Sequence, residues 1–169
     1  AAVVGDNIIK NSTTSYTVRT GTKSVAISAK TTKSSDTTVV EQVAAAGIVA
    51  TVTVSVDTID ADDTISVGGK TFAGAKGSKT FTATSDAAGK FNFSIDSLSG
   101  KKGTNVSVKI FVPGVGTTSL VTFDWADASI SAGPTDMVVG ASASHTIVKG
   151  GTVDLKLAVL DSFGAKVSG

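Results

Sequence analysis

The sequence has no cysteine, which excludes a disulfide framework, a thiolate metal site and a cysteine nucleophile. It has a single histidine, His145, so one chain cannot assemble a histidine-based metal cluster. Arg19 is the only arginine, and bidentate phosphate recognition has almost no equipment here. Trp125 and Tyr16 are each the sole residue of their type, thin material for an aromatic platform that stacks on sugars. Charged residues make up 17% of the chain, and they intersperse without a like-charge block to a formal net charge of +1. Nothing in that balance draws nucleic acid or an anionic membrane surface. Long apolar runs are missing as well. The longest, Val43 to Ala50, is broken by Gly47 and falls far short of the roughly 20 residues a spanning helix needs. No secretory leader pattern opens the sequence, so if the protein is exported the expectation is that its leader has already been removed.

What is present is alternation. Of the 169 residues 41% are apolar, with Val and Ala dominating, and Ser and Thr make up the polar balance. β-branched side chains favour strands. Phe91, Phe93 and Ile95 alternate with Asn92 and Ser94; Val106, Val108, Ile110 and Val112 alternate with Ser107, Lys109 and one dissident, Phe111; Val121, Phe123 and Trp125 alternate with Thr122 and Asp124. A period of two puts each apolar set on one face of a strand. Gly and Pro punctuate the runs at Gly100–Gly103 and Pro113–Gly116, so the expectation is a three-stranded antiparallel meander with one buried face. A second sheet must cover that face, and it must come from the chain before it.

Earlier segments supply it. Tyr16 to Arg19 is a short strand candidate in a weakly patterned lead-in, and Lys23 to Ala29 alternates well. Thr31 to Asp36 reads as a polar turn and Thr38 to Val43 as a strand. Ile48, Ala50, Val52, Val54 and Val56 share one face of a longer strand, which an acidic loop follows from Asp57 to Asp63. Thr64 to Phe72 has the form of a hairpin in which Gly68-Gly69 supplies positive φ, and Ser78 to Thr84 is a further strand. About seven to nine short strands without a helical period predict an all-β, immunoglobulin-like β-sandwich. The expected division is a lead-in or edge strand at 1–22, the sandwich at 23–126, and a linker with the first strands of a second, incomplete immunoglobulin-like domain at 127–169. That last segment rests on Val153, Leu155, Leu157 and Val159, four side chains that cannot offset the ordering cost of the segment alone. It therefore reads as part of a longer polypeptide, or as a unit completed by a neighbouring molecule.

Two stretches resemble known repeats. Thr82 to Ile95 is similar to the polar turn, glycine and aromatic-x-aromatic strand pair of bacterial immunoglobulin-like repeats. Gly150-Gly151-Thr152-Val153-Asp154-Leu155 through Val159-Leu160-Asp161-Ser162-Phe163-Gly164 to Val167-Ser168-Gly169 resembles a second such family. Repeats of this kind occur in tandem in S-layer proteins, adhesins and invasins of prokaryotic surfaces. The resemblance implies an extracellular, non-enzymatic module of a self-assembling S-layer-like protein. Its partners would be copies of itself and neighbouring immunoglobulin-like domains, without nucleic acid or membrane insertion. A stalk or ligand-binding domain of a cell-surface adhesin is the alternative.

Few residues are candidates for a site. Asp57, Asp60, Asp62 and Asp63 cluster in one interstrand loop, as calcium would require, although the spacing is not that of an EF-hand and a solvated acidic turn has the same composition. No other cofactor is expected. Asn11, Asn92 and Asn105 each begin an Asn-x-Ser/Thr sequon and are candidate glycan acceptors. Asn105 is also the asparagine best placed to take an isopeptide bond from a lysine. His145 lies in a polar segment without a nucleophile-elbow pattern, which argues against a Ser-His-Asp triad. Trp125 ends a core strand and is expected to plug the base of the sandwich.

Overall fold

The computed structural model of the chain describes residues 7–34, 42–114, 118–129, 149–150 and 160–167. Two compact units divide it, Ala1–Asp127 and Ala128–Gly169. The described residues of the first unit form strands and turns only. No helix among the described residues is long and apolar enough to cross a membrane.

Twelve strands follow in chain order: β1 (Ile8–Lys10), β2 (Ser15–Arg19), β3 (Ser24–Lys30), β4 (Thr32–Ser34), β5 (Gln42–Ala44), β6 (Val49–Thr58), β7 (Thr64–Val67), β8 (Lys70–Ala73), β9 (Gly77–Thr84), β10 (Lys90–Ser97), β11 (Asn105–Phe111) and β12 (Thr118–Ala126). They build a six-stranded sheet in the order β1-β2-β12-β11-β6-β9 and a four-stranded sheet in the order β3-β10-β7-β8, with β4 and β5 as a separate ribbon. Pairing is antiparallel throughout the two larger sheets, except that β2 runs parallel to β12.

Alternation decides which face each strand buries. On β6, Ala50, Val52, Val54 and Val56 are buried while Thr51, Thr53 and Ser55 face outward. Val106, Val108 and Ile110 on β11 and Val121, Phe123 and Trp125 on β12 continue that buried face. From the other sheet come Val25 and Ile27 (β3), Ile65 and Val67 (β7), Phe72 (β8), and Phe91 and Ile95 (β10). All of these belong to one apolar cluster, so the two sheets are layers over a single core. Phe111, the residue out of step on its strand, is 42% exposed, as its parity requires. The β7–β8 hairpin turns on Gly68 and Gly69 at φ 54° and 75°, the two positive values of a type I′ turn.

Three expectations need correcting. The runs at Phe91, Val106 and Val121 do not form one meander. β11 pairs with β12 and β6, whereas β10 pairs with β3 and β7 in the opposite layer. The connection 98–104 is an arch between layers, tied down along its length. Leu98 N–H donates to Thr64 O at 2.9 Å, Gly21 N–H to Gly100 O at 2.7 Å, and Gly103 N–H to Trp125 O at 2.8 Å. Period two fixes the buried face of a strand and is silent about which sheet the strand joins.

Ser15–Arg19 is no peripheral addition. It lies between β1 and β12, with Tyr16 and Val18 buried and the Tyr16 ring stacked on Phe123 at 5.5 Å. Thr32–Ser34, placed in a polar turn by composition, pairs as β4 with Gln42–Ala44. The expected strand from Thr38 therefore starts within the described residues only at Gln42, and residues 38–41 lie outside them. In the second unit the described residues contain one bridge, Leu160 to Lys166, around a turn in which the Asp161 carboxylate accepts from Phe163 and Ala165 N–H. Val153, Leu155, Leu157 and Val159 lie outside the described residues.

Candidate functional site

Most of the titratable residues singled out by sequence fall where the loop between β6 and β7 meets the arch between β10 and β11. Strand parity explains why one of them is buried. Asp63 has the inward parity of Ile65 and Val67, and Ser97 has the inward parity of Phe91 and Ile95. Both are buried, and two polar groups forced inward at adjoining strand ends must satisfy each other. Ser97 Oγ donates to Asp63 Oδ2 at 2.9 Å. Asp63 Oδ1 accepts from Thr64 N–H at 2.8 Å and from Ser99 N–H at 3.1 Å. Ser97 Oγ in turn accepts from Gly100 N–H at 2.7 Å. Burial pushes the Asp63 carboxyl up, yet the hydrogen bonds from Ser97, Thr64 and Ser99 together hold it below the ordinary carboxylate value. It is a buried anion that fastens one loop to another.

The rest of the acidic loop faces solvent. Asp60 Oδ1 accepts from Asp62 N–H at 3.0 Å and from Lys101 Nζ at 2.9 Å. The same ammonium stands 3.9 Å from Asp62 Oδ2. The Asp62 N–H and then Lys101 lower the Asp60 pKa, and Asp60 raises that of Lys101. Asp57 is exposed near the end of β6. The four aspartates thus divide into an inward hydrogen-bonded anion, a pair facing a lysine, and an exposed outlier. Among the described residues no group of three or more His, Cys, Asp or Glu side chains is placed to hold a metal ion. The cation opposite Asp60 and Asp62 is the chain's own Lys101. Millimolar calcium is therefore expected to leave the melting temperature unchanged in a thermal scan, whereas a clear rise would place an ion at this loop.

Gly100 completes the junction. Its φ is +62°, and a Cβ there would stand 2.5 Å from Thr22 O. A Gly100→Ala variant should lose about 2 kcal/mol by urea denaturation, since it adds both left-handed strain and a backbone clash.

The three sequon asparagines lie apart, and each side-chain amide donates within the chain. Asn11 Nδ2, in the β1–β2 turn, bonds Thr17 Oγ1 at 2.8 Å. Asn92 Nδ2, on the outward face of β10, bonds Asp86 Oδ2 at 2.9 Å. Asn105 Nδ2 donates to Asp124 Oδ1, so its side chain faces a carboxylate and not the lysine that an isopeptide bond requires. Trp125 is 1% exposed, and its Nε1–H donates to Thr22 O at 3.0 Å. A buried ring offers no face to a sugar. His145 lies outside the described residues.

Sequence reading missed Ser97, Lys101 and Ser85. Ser85 is a second buried hydroxyl, which donates to Ala45 O at 2.6 Å and accepts from Ile48 N–H at 2.9 Å. The signal for Ser97 was available, as a polar residue in the inward register of β10. For Lys101 there was none, because which loops meet depends on which sheet each strand joins. Chemically, this junction fixes backbone around the buried Asp63–Ser97 pair. Compared with protein-family models, with curated proteins and with solved structures, the chain has no significant match.

Proposed function

We propose that this chain is a structural module of a self-assembling prokaryotic surface protein of the S-layer kind, built on an immunoglobulin-like sandwich and acting as a rigid lattice or spacer unit outside the cell. The strand order supports the immunoglobulin-like reading. β12, β11 and β6 sit side by side in one layer and β3, β10 and β7 in the other, as strands G-F-C and B-E-D do in that fold. The chain departs from it in pairing its first long strand with the last, and in inserting β8 and β9. The tryptophan that packs on an intersheet disulfide has no counterpart, since there is no cysteine and Trp125 lies on the last strand.

The observation that carries the functional reading is the chemistry of the outer faces. Thr122, Ser107, Ser55 and Ser78 stand in one row across β12, β11, β6 and β9, and Ser55 Oγ lies 3.1 Å from Ser78 Oγ. Short neutral hydroxyl side chains let a neighbouring surface approach closely at little entropy cost, and each can donate and accept a hydrogen bond across the contact. Many weak contacts of this sort, repeated by symmetry, hold copies in an array. Glycans at Asn11, Asn92 or Asn105 belong to the same proposal; calcium at the Asp57–Asp63 loop does not, because Lys101 already faces Asp60 and Asp62.

Sedimentation velocity over micromolar to near-millimolar concentration is the test. Mass that rises with concentration is expected. A strict monomer throughout would overturn the scaffold reading and favour the adhesin stalk.

A further inference from the structure

The four-stranded sheet has an edge, β3, with which no other described strand pairs. Among the described residues β3 pairs on one side only, with β10, in an unbroken register from Ser24 opposite Asp96 to Lys30 opposite Lys90. In the immunoglobulin-like order proposed above, a first strand would sit on the other side of β3. Here the first long strand, β2, joins the opposite layer beside β12.

Sheet edges invite pairing with other chains, and proteins usually guard them with charge, proline, bulges or short length. The other three edges show such guards. β1 is three residues long. β8 is four residues long, and β9 carries Lys79, whose ammonium lies over β8, donating to Thr71 O at 2.5 Å and standing 5.0 Å from the centre of the Phe72 ring. β3 has seven residues without proline, glycine or bulge, and its outward side chains before Lys30 are Ser24, Ala26 and Ser28.

Hydrogen-bond parity shows what the edge presents. Ser97 N–H donates to Lys23 O and Thr31 N–H to Gly89 O, so the odd-numbered residues of this strand turn their backbone groups toward β10. In an antiparallel ladder the alternate residues turn theirs away. Ser24, Ala26, Ser28 and Lys30 therefore direct their N–H and C=O groups at the open side.

Charge along the outward face is lopsided. At one end Lys30 stands directly across from Lys90, an unfavourable like-charge pair. Asp96 lies at the other end among hydroxyls. It accepts from Ser24 Oγ at 2.6 Å and Ser94 Oγ at 2.7 Å, with Ser66 opposite it on β7. Among the described residues no lysine or arginine is within ion-pair distance of Asp96.

We infer that β3 pairs antiparallel with β3 of a second copy about a two-fold axis at Ile27, joining two four-stranded sheets into one. This deepens the self-assembly reading by naming one contact that would serve it. In that register Ser24 meets Lys30 of the second copy and Ala26 meets Ser28, so all four outward-directed backbone positions of each strand are paired. The incoming lysine lies over the short Ser24 side chain. With strands about 4.8 Å apart, its backbone is two strand spacings, about 10 Å, from that of Asp96, a span the two side chains bridge. The symmetry repeats the ion pair at the other end. The positive end of each face thereby meets the negative end of the other.

Sedimentation equilibrium of the 169-residue chain and its variants tests this contact. Ala26→Pro removes one outward N–H and no bond to β10, which is where a strand tolerates proline. It should weaken dimerisation at least about tenfold while leaving the circular dichroism unchanged. If Ala26→Pro unfolds the chain, the charge variants decide. Lys30→Asp and Asp96→Lys should each weaken dimerisation several-fold, and the double variant should restore it, because each copy then offers its partner the reversed pair. Dimerisation unchanged in folded Ala26→Pro, or single charge reversals without rescue in the double, would overturn β3 pairing and leave assembly through another face standing. A wild-type chain that stays monomeric would overturn both this contact and the scaffold reading.

Discussion

Asp63→Ala should cost about 3 kcal/mol in urea denaturation, far more than the half kilocalorie typical of a loop aspartate at the surface. The reason is what the carboxylate leaves behind. Ser97 Oγ, Thr64 N–H and Ser99 N–H all point at it from a buried junction, and truncation strands three donors at once. The pH dependence carries the same signature. The folded pKa of Asp63 lies below its unfolded value, so the group's contribution is fully present above about pH 3.9 and is lost as pH falls through the folded value. Asp60, Asp86 and Asp127 are shifted the same way, but they are exposed. The difference between the wild-type and Asp63→Asn stability curves isolates the buried group. The wild type should lose stability more steeply toward low pH. Parallel curves would mean that Asp63 does no more than the exposed three.

Trp125→Ala should cost about 4 kcal/mol, followed by far-ultraviolet circular dichroism because the variant has no tryptophan left. The ring is the largest fully buried side chain, at the end of β12. Its removal opens a cavity and takes the Nε1–H from Thr22 O, the oxygen that a Cβ at Gly100 would strike. Trp125→Phe should recover part of the loss by refilling the space without restoring that bond. In the wild type, the sole tryptophan should emit as a buried indole and shift to the red in one step on unfolding. Early red emission in native buffer would place the ring in water and contradict the packing.

Local pattern revealed the strands and their inner faces. Val52, Val54 and Val56 are buried and Thr51, Thr53 and Ser55 face outward because pleat parity leaves no other arrangement. The Gly68-Gly69 turn was equally legible, since few residue pairs accept positive φ twice in succession. Pairing between distant strands was not. Tyr16 and Val18 alternate too briefly to announce a buried strand, yet β2 is held in parallel register beside β12, more than a hundred positions later. Nor could alternation reveal that β10 leaves the layer of β11, because an arch and a hairpin can both begin with polar and glycine residues. The acidic loop shows both sides of this. Its composition was plain, but the inward turn of Asp63 follows from parity, and the meeting of Asp60 with Lys101 follows only from the arch.

Electron microscopy of the purified chain at high concentration addresses the central claim, that the sandwich serves assembly, most directly. Ordered sheets or filaments with a repeat of one module's dimensions are the predicted result. A field of isolated particles at every concentration would contradict it.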